Sequence, residues 1–175
     1  MATTPDRIDG TLEVWARELP ELDLVVEGIV ERVGRLKRII ERTTEETLAA
    51  HDLSFGEWSL IGSLRYGGPP YRDKPGRLAN WLGLSSGAMT NRLDRMEERG
   101  LIRRLPDPDD RRGVLVELTA EGRAAWEAAV AAQAEKEAVV SAALDASDQK
   151  VLNDMLRSLL LAFEERHGQP PKHPR

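Results

Sequence analysis

A mainly α fold with one small β-hairpin wing, arranged as a winged helix-turn-helix with long dimerisation helices, is the fold class this sequence predicts. Three observations predict it. The stretch from Arg77 to Gly122 reads as two short helices around a tight turn, followed by a hairpin. A long helical periodicity precedes it, with Leu22, Val26, Ile29, Val33, Leu36 and Ile40 at three- and four-residue steps. An Ala-rich helix and a further amphipathic helix follow it.

Taken in order, residues 1–20 hold a short amphipathic helix with Ile8, Leu12, Trp15 and Leu19 on one side, ended by Pro20. The next helix runs from about Leu22 to Ala50. Its roughly 28 residues at ~1.5 Å each make ~42 Å, longer than a compact domain of this size needs, and imply an intersubunit or interdomain scaffold. Ser54-x-x-Glu57 is a capping box opening a helix with Trp58, Leu60, Ile61 and Leu64, and Gly67-Gly68-Pro69-Pro70 stops it. A Gly- and Pro-rich loop reaches Gly76. Arg77 to Leu82 forms a short helix, Gly83-Leu84 the turn, and Ser85 or Ser86 the cap of the next helix. That helix buries Met89, Leu93 and Met96 and ends at Gly100 in the C′ position. Leu101–Leu105 and Val114–Leu118 are β-rich, and residues 106–110 between them are turn chemistry, so Arg111 and Arg112 fall in the wing loop. Thr119 caps a helix reaching about Leu144, residues 145–147 break it, and a last helix aligns Leu152, Met155, Leu156, Leu159 and Phe163. Five or six helices with one inserted hairpin result. The domain boundaries follow: 1–52 an N-terminal extension and first dimerisation helix, 53–119 the winged module, 120–167 C-terminal dimerisation helices, and 168–175 a disordered basic tail.

The bulk composition limits the function classes. The 175 residues carry no cysteine, which excludes thiol chemistry and Cys-based zinc sites and fits a cytoplasmic protein. Met1 to Leu19 contains Asp6, Asp9, Glu13 and Glu18 and does not read as a signal peptide, and no apolar run approaches the ~18 residues of a membrane span. The net charge is −5, unevenly distributed. From Lys74 to Gly113 nine Lys and Arg face six Asp and Glu, leaving +3, while sixteen against twenty-four elsewhere leave −8. A basic module on an acidic body binds a polyanion locally without coating it indiscriminately.

With Met89, Leu93 and Met96 inward, Ser86, Gly87, Thr90, Asn91, Asp94 and Arg95 face outward. Small hydrogen-bonding residues near a helix N-terminus suit base edges and phosphates in a DNA major groove, and Gly87 permits close backbone approach. Arg111 and Arg112 suit a minor groove or phosphates, with Asp110 placed to pair with a nearby arginine and hold the loop. The other reading of both features is ordinary solvated surface.

The run DPDDRRGVLVELTAEGR resembles the wing signature of the MarR family of transcriptional regulators, with Asp110 and Arg112 matching its D-x-R and Leu118, Thr119 and Gly122 its L-T-x-x-G. SSGAMTNRLDRMEERGLI resembles the family's recognition helix and first wing strand. The resemblance spans about residues 25–165. It implies a homodimer joined through its first and last helices on a pseudo-palindromic double-stranded operator, and a repressor released by a small aromatic or anionic effector bound between dimer and DNA-binding regions. The N-terminal VWAREL is similar to the family's urate-responsive branch, whose pocket implies ligand-binding roles for Trp15, Arg92 and Arg104, with Trp58 and Ser59 beside them. That branch has an acid where Ser59 stands; this departure counts against urate, and phenolic acids such as salicylate are expected to bind better than urate. Trp15 reads equally as a packing anchor, Trp58 reads more readily as core packing than as a ligand contact, and Arg92 and Arg104 read equally as phosphate contacts or structural ion pairs.

Two other classes compete. A winged-helix adaptor without DNA binding would lack use for Thr90, Asn91, Arg95 and the wing arginines. Gly83-Leu84-Ser85-Ser86-Gly87 matches the G-x-S-x-G elbow of serine hydrolases, but that elbow needs a preceding strand and a downstream histidine, and only His167 and His173 follow. His51, His167 and His173 lack metal-ligand spacing. No cofactor, metal or catalytic residue is expected.

Overall fold

The computed structural model describes residues 4–168, so the expected tail lies outside the described residues apart from Gly168. The elements run α1 (Arg7–Glu18), α2 (Leu24–Ala50), α3 (Phe55–Tyr66), β1 (Arg72–Asp73), α4 (Pro75–Trp81), α5 (Ser86–Glu98), β2 (Ile102–Asp107), β3 (Asp110–Leu118), α6 (Ala120–Glu137), α7 (Val139–Ala143) and α8 (Ala146–His167). The chain divides into two compact units, one up to Glu45 and one from Glu46 on, so the division falls inside α2.

In the first unit, Asp6 caps α1 by accepting the N–H of Ile8 and Asp9, and Asp9 reaches back to the N–H of Asp6. The Arg32 guanidinium on α2 grips both carboxylates, at 2.9 Å from Asp6 and 2.6 Å from Asp9. It holds the Asp6 carboxyl below its ordinary pKa. At the start of α2, Asp23 Oδ1 accepts the N–H of Val25 and Val26.

The second unit contains the main core. Leu60, Ile61 and Leu64 of α3, Leu78 of α4, Met89, Leu93 and Met96 of α5, Ile102 of β2 and Val116 of β3 are its most completely buried large side chains. Each element contributes the apolar stripe that its period dictates. Leu48, near the end of α2, and Ala129 on α6 join the same cluster. Thr47 donates its hydroxyl to Gln133 Oε1 at 3.0 Å in the buried seam with α6.

The capping expectations hold at atomic detail. Ser54 and Glu57 form the capping box of α3, Ser85 Oγ accepts the N–H of Ala88, and Thr119 Oγ1 accepts that of Gly122. Gly100 takes φ +69° after α5, the left-handed conformation in which glycine carries no Cβ penalty. Gly122 is required for a different reason. A Cβ there would lie 2.1 Å from the Leu101 carbonyl oxygen, so α6 starts against the wing backbone only because residue 122 has no side chain.

Three expectations are corrected. The wing is a three-stranded antiparallel sheet, β1-β3-β2, rather than a lone hairpin. The segment read as loop before Gly76 supplies β1, whose Arg72 and Asp73 pair with Glu117 and Val116, and α4 starts at Pro75. Two residues carry no alternation to read; β1 exists because β3 offers it a free edge. The strands also continue to Asp107 and from Asp110, around a two-residue turn at 108–109. Arg111 and Arg112 therefore sit on β3, not in the loop. Pro106 is accommodated because β2 is an edge strand with an irregular register at Pro106/Asp107. Lastly, the Ala-rich helix ends at Glu137 and a separate short α7 follows, so eight helices are present among the described residues instead of five or six. The break at Ala138 has no Gly or Pro to mark it.

Candidate nucleic-acid interface

Burial of Met89, Leu93 and Met96 turns the opposite face of α5 to solvent. Ser86, Gly87, Thr90, Asn91 and Arg95 are all exposed on it. Thr90 donates its hydroxyl to the Ser86 carbonyl at 3.0 Å, while the Asn91 side chain has no hydrogen-bond partner among the described residues. A Cβ on Gly87 would meet nothing within 4 Å, so the protein's own packing does not demand glycine there.

The nine cations from Lys74 to Gly113 divide sharply. Lys74 pairs with Asp107 at 2.7 Å and Arg77 with Asp73 at 3.3 Å. Arg99 joins Asp52 and Glu57, and Arg103 pairs across the strands with Glu117. Arg104 is held by Asp94 at 2.7 Å and Glu97 at 2.6 Å. Arg92 donates to the Gly56 carbonyl at 3.2 Å, in a space that a Cβ on Gly56 would close. Arg95, Arg111 and Arg112 alone make no ion pair or side-chain hydrogen bond among the described residues. These three belong to the set expected to contact DNA. An unpaired cation is the kind that neutralises a phosphate without first losing an internal partner.

Asp110 departs from its expected role. Its Oδ1 accepts the backbone N–H of Arg112 at 3.0 Å and pairs with no arginine side chain among the described residues, so it shapes the turn and leaves the Arg112 guanidinium unengaged there. Sequence reasoning missed Asp107, the buried carboxylate of the wing. It accepts the N–H of Asp109 and pairs with Lys74 at the start of α4. Lys74 and that N–H hold its carboxyl below the ordinary carboxylate value, and Asp107 in turn raises the Lys74 ammonium. Gly113 permits this, since a Cβ there would lie 2.8 Å from Asp107 Cβ. No sequence signal separates Asp107 from Asp109 and Asp110 beside it.

The residues expected around an effector lie in different surroundings. Trp15 is half-buried on α1 in the first unit. In the second, Trp58 stacks on Trp126 with centroids 6.3 Å apart, and the Arg65 guanidinium lies 4.8 Å over the Trp126 ring. Ser59 donates to the Phe55 carbonyl within its own helix. Arg92 lines a groove of about 620 Å³ with Phe55, Arg95 and Arg99 and the carboxylates of Glu57 and Glu98, whereas Arg104 is engaged at the base of the wing.

Ser85 caps α5 and is preceded by α4 and a turn, so the strand that a hydrolase elbow needs is not there. Among the described residues no group of three or more His, Asp or Glu is placed to hold a metal ion, and no helix is long and apolar enough to cross a membrane.

A capped helix with a small polar face, beside a wing carrying unpaired arginines, defines a winged-helix DNA-binding regulator. The MarR family model matches residues 56–114. The transcriptional regulator PecS of Dickeya dadantii is 32% identical over 115 residues, 66% of this chain and 69% of that protein. The chain belongs to the MarR family. Among solved structures, a mutant of Escherichia coli MarR complexed with operator DNA superposes with a TM-score of 0.55 at 25% identity, covering 83% of this chain and 97% of that one. A MarR family protein from Bacillus stearothermophilus shares the fold with a TM-score of 0.70 at 20% identity, covering 81% and 97%.

Proposed function

We propose that this MarR-family regulator is a cytoplasmic homodimeric repressor that places α5 in the major groove of a pseudo-palindromic operator and β3 of the wing beside it. Ser86, Gly87, Thr90 and Asn91 meet base edges and the nearest phosphates, and Arg95, Arg111 and Arg112 neutralise phosphates or enter the minor groove. The observation that carries this reading is the division of the nine cations from Lys74 to Gly113: the three left unpaired among the described residues lie on the outward face of α5 and on the wing. The structure of an E. coli MarR mutant complexed with operator DNA supports the same use of the fold.

Dimerisation is supported by apolar faces that the single chain leaves uncovered. Val26, Ile29, Val33, Leu36 and Ile40 of α2 are each at least 44% exposed, and α8 exposes Leu152, Met155, Leu156, Leu159 and Phe163. Faces of this extent mark an association surface. Residues 1–52 and 120–167 act as the dimerisation segments, and 53–119 as the reader of DNA. The groove beside Arg92 has the size of a small-molecule site; Arg99 there is already paired with Glu57, and Arg92 and Arg95, which make no ion pair among the described residues, are the guanidinium groups that an aromatic anion such as salicylate would meet, beside Glu98. Such a ligand shifts the regulator only by its difference in affinity for the bound and released conformations.

Selection of duplexes from a random pool, with light scattering on the same preparation, tests the reading. It predicts one enriched sequence with two-fold symmetry, half-sites about one helical turn apart, and a particle of twice the 19.5 kDa chain mass. No enrichment, or a monomer, contradicts it.

A further inference from the structure

We infer that Arg104, Glu97 and Asp94 form a latch that sets the wing against the recognition helix, and that Arg104 is a positioning residue for operator binding, neither a phosphate contact nor an effector ligand. This rests on the DNA-binding reading above and assigns these residues a role within it.

Glu97 makes two bonds to one residue. Its Oε1 accepts the backbone N–H of Arg104 at 2.8 Å, and its Oε2 accepts the guanidinium at 2.6 Å. The first bond ties the β2 backbone, and the second its side chain, to the last turn of α5. The other arm of the guanidinium reaches Asp94 Oδ1, one turn earlier on α5, at 2.7 Å. A planar fork bridging two carboxylates one helical turn apart fixes direction as well as distance, which a flexible ammonium would not do. Opposite Arg104 in the sheet stands Val116, fully buried, so the held residue sits where the wing enters the core.

The positions of the acids carry the argument further. Glu97 lies in the last turn of α5, where the helix dipole disfavours a carboxylate. Asp94 lies on the side of α5 that continues toward Asn91 and Arg95, where a free carboxylate repels phosphates. Two acids at unfavourable places on a DNA-reading helix have a use if their charge is cancelled by the strand they hold. The guanidinium loses hydration there, yet the two carboxylates more than offset that and stabilise its charged form.

Electrostatics alone and the latch predict opposite signs for one experiment. Asp94→Asn combined with Glu97→Gln removes two negative charges from the reading helix. If Arg104 served phosphates, this variant would free it and tighten binding to every duplex. The latch predicts that affinity for the selected duplex falls about tenfold, the order of one well-made base contact, while affinity for a random duplex holds or rises. It also predicts that hydroxyl-radical protection of the backbone beside the wing is lost, while dimethyl sulfate protection of major-groove guanines at the half-site centres persists. Arg104→Met should reproduce the loss of wing protection with a melting temperature within a few degrees of the parent; should it fail to fold, the double variant carries the test. Equal or tighter binding of the selected duplex by the double variant, with wing protection intact, overturns the latch. If the parent protein enriches no duplex, the DNA-binding reading fails and the latch falls with it.

Discussion

Removing Arg112 changes how binding responds to salt, by an amount that follows from the ion pairs. Of the nine cations from Lys74 to Gly113, Arg95, Arg111 and Arg112 have no internal partner among the described residues, and on the proposed function they would give about six phosphate neutralisations per dimer. Each contributes about −0.9 to the slope of log affinity against log salt, so the parent slope is about −5. Between 50 and 200 mM salt that slope is a loss on the order of 10³ in affinity. Arg112→Ala removes one cation from each wing, brings the slope to about −3.5, and reduces the loss to on the order of 10². The defect is therefore largest at low salt and narrows as salt rises. It is the same on operator and random duplex, because a phosphate carries no sequence. Fluorescence anisotropy of labelled duplexes across five salt concentrations reads the slope directly. An unchanged slope, with affinity reduced equally at every concentration, would refute the assignment of Arg112 to a phosphate. The control is Arg103→Ala: Arg103 is paired with Glu117, and its loss should leave the slope near that of the parent.

Other outcomes follow from the same geometry. Gly87→Ala meets open space in the free protein, so it should stabilise the fold by up to about 1 kcal/mol through helix propensity, while weakening operator binding roughly tenfold where the helix start approaches the DNA; stabilisation without loss of binding would show that Gly87 does not face the duplex. Gly122→Ala places a Cβ 2.1 Å from the Leu101 carbonyl oxygen and should cost on the order of 3 kcal/mol, lowering the thermal midpoint by about 6–12 °C, with a midpoint unchanged to within a degree contradicting the packing argument. The Asp107 carboxyl titrates below its ordinary 3.8 because Lys74 and the Asp109 N–H favour its charged form. Its stabilisation is thus fully present above that value and lost as pH falls through the lower folded one. Asp107→Asn should remove this contribution at neutral pH and flatten the acid limb of a stability curve below about pH 4, whereas a curve parallel to the parent's down to pH 2 would show that Asp107 is not held as its charged form.

How much of this was legible in the chain depended on whether a feature is local. The core face of α5 could be read because Met89, Leu93 and Met96 repeat at the helical period, and the caps because Ser54, Ser85 and Thr119 act within three residues of themselves. β1 could not, since the strand it pairs with, β3, lies more than forty residues away. The wing strands were read short because residues 106–113 lack apolar alternation, although the backbone ladder continues through them. At the site, the outward residues of α5 could be named but the state of the arginines could not. Arg104 and Arg112 look alike in sequence. Only the fold shows that one is held by Asp94 and Glu97 while the other is free. Proximity in sequence suggests an arginine partner for Asp110, but its carboxylate accepts a backbone N–H instead.

On the proposed function, the N-terminal face of α5 reads bases. Asn91 tests it most directly, because its side chain is exposed and has no partner within the described residues that its removal would disturb. The measurement is the ratio of affinities for the selected duplex and a random duplex at one fixed salt concentration, for the parent and for Asn91→Ala. Base reading by α5 predicts that operator affinity falls by about 1–3 kcal/mol while random-duplex affinity is unchanged, so the ratio collapses by that amount. An equal fall on both duplexes, leaving the ratio intact, would contradict base reading by α5.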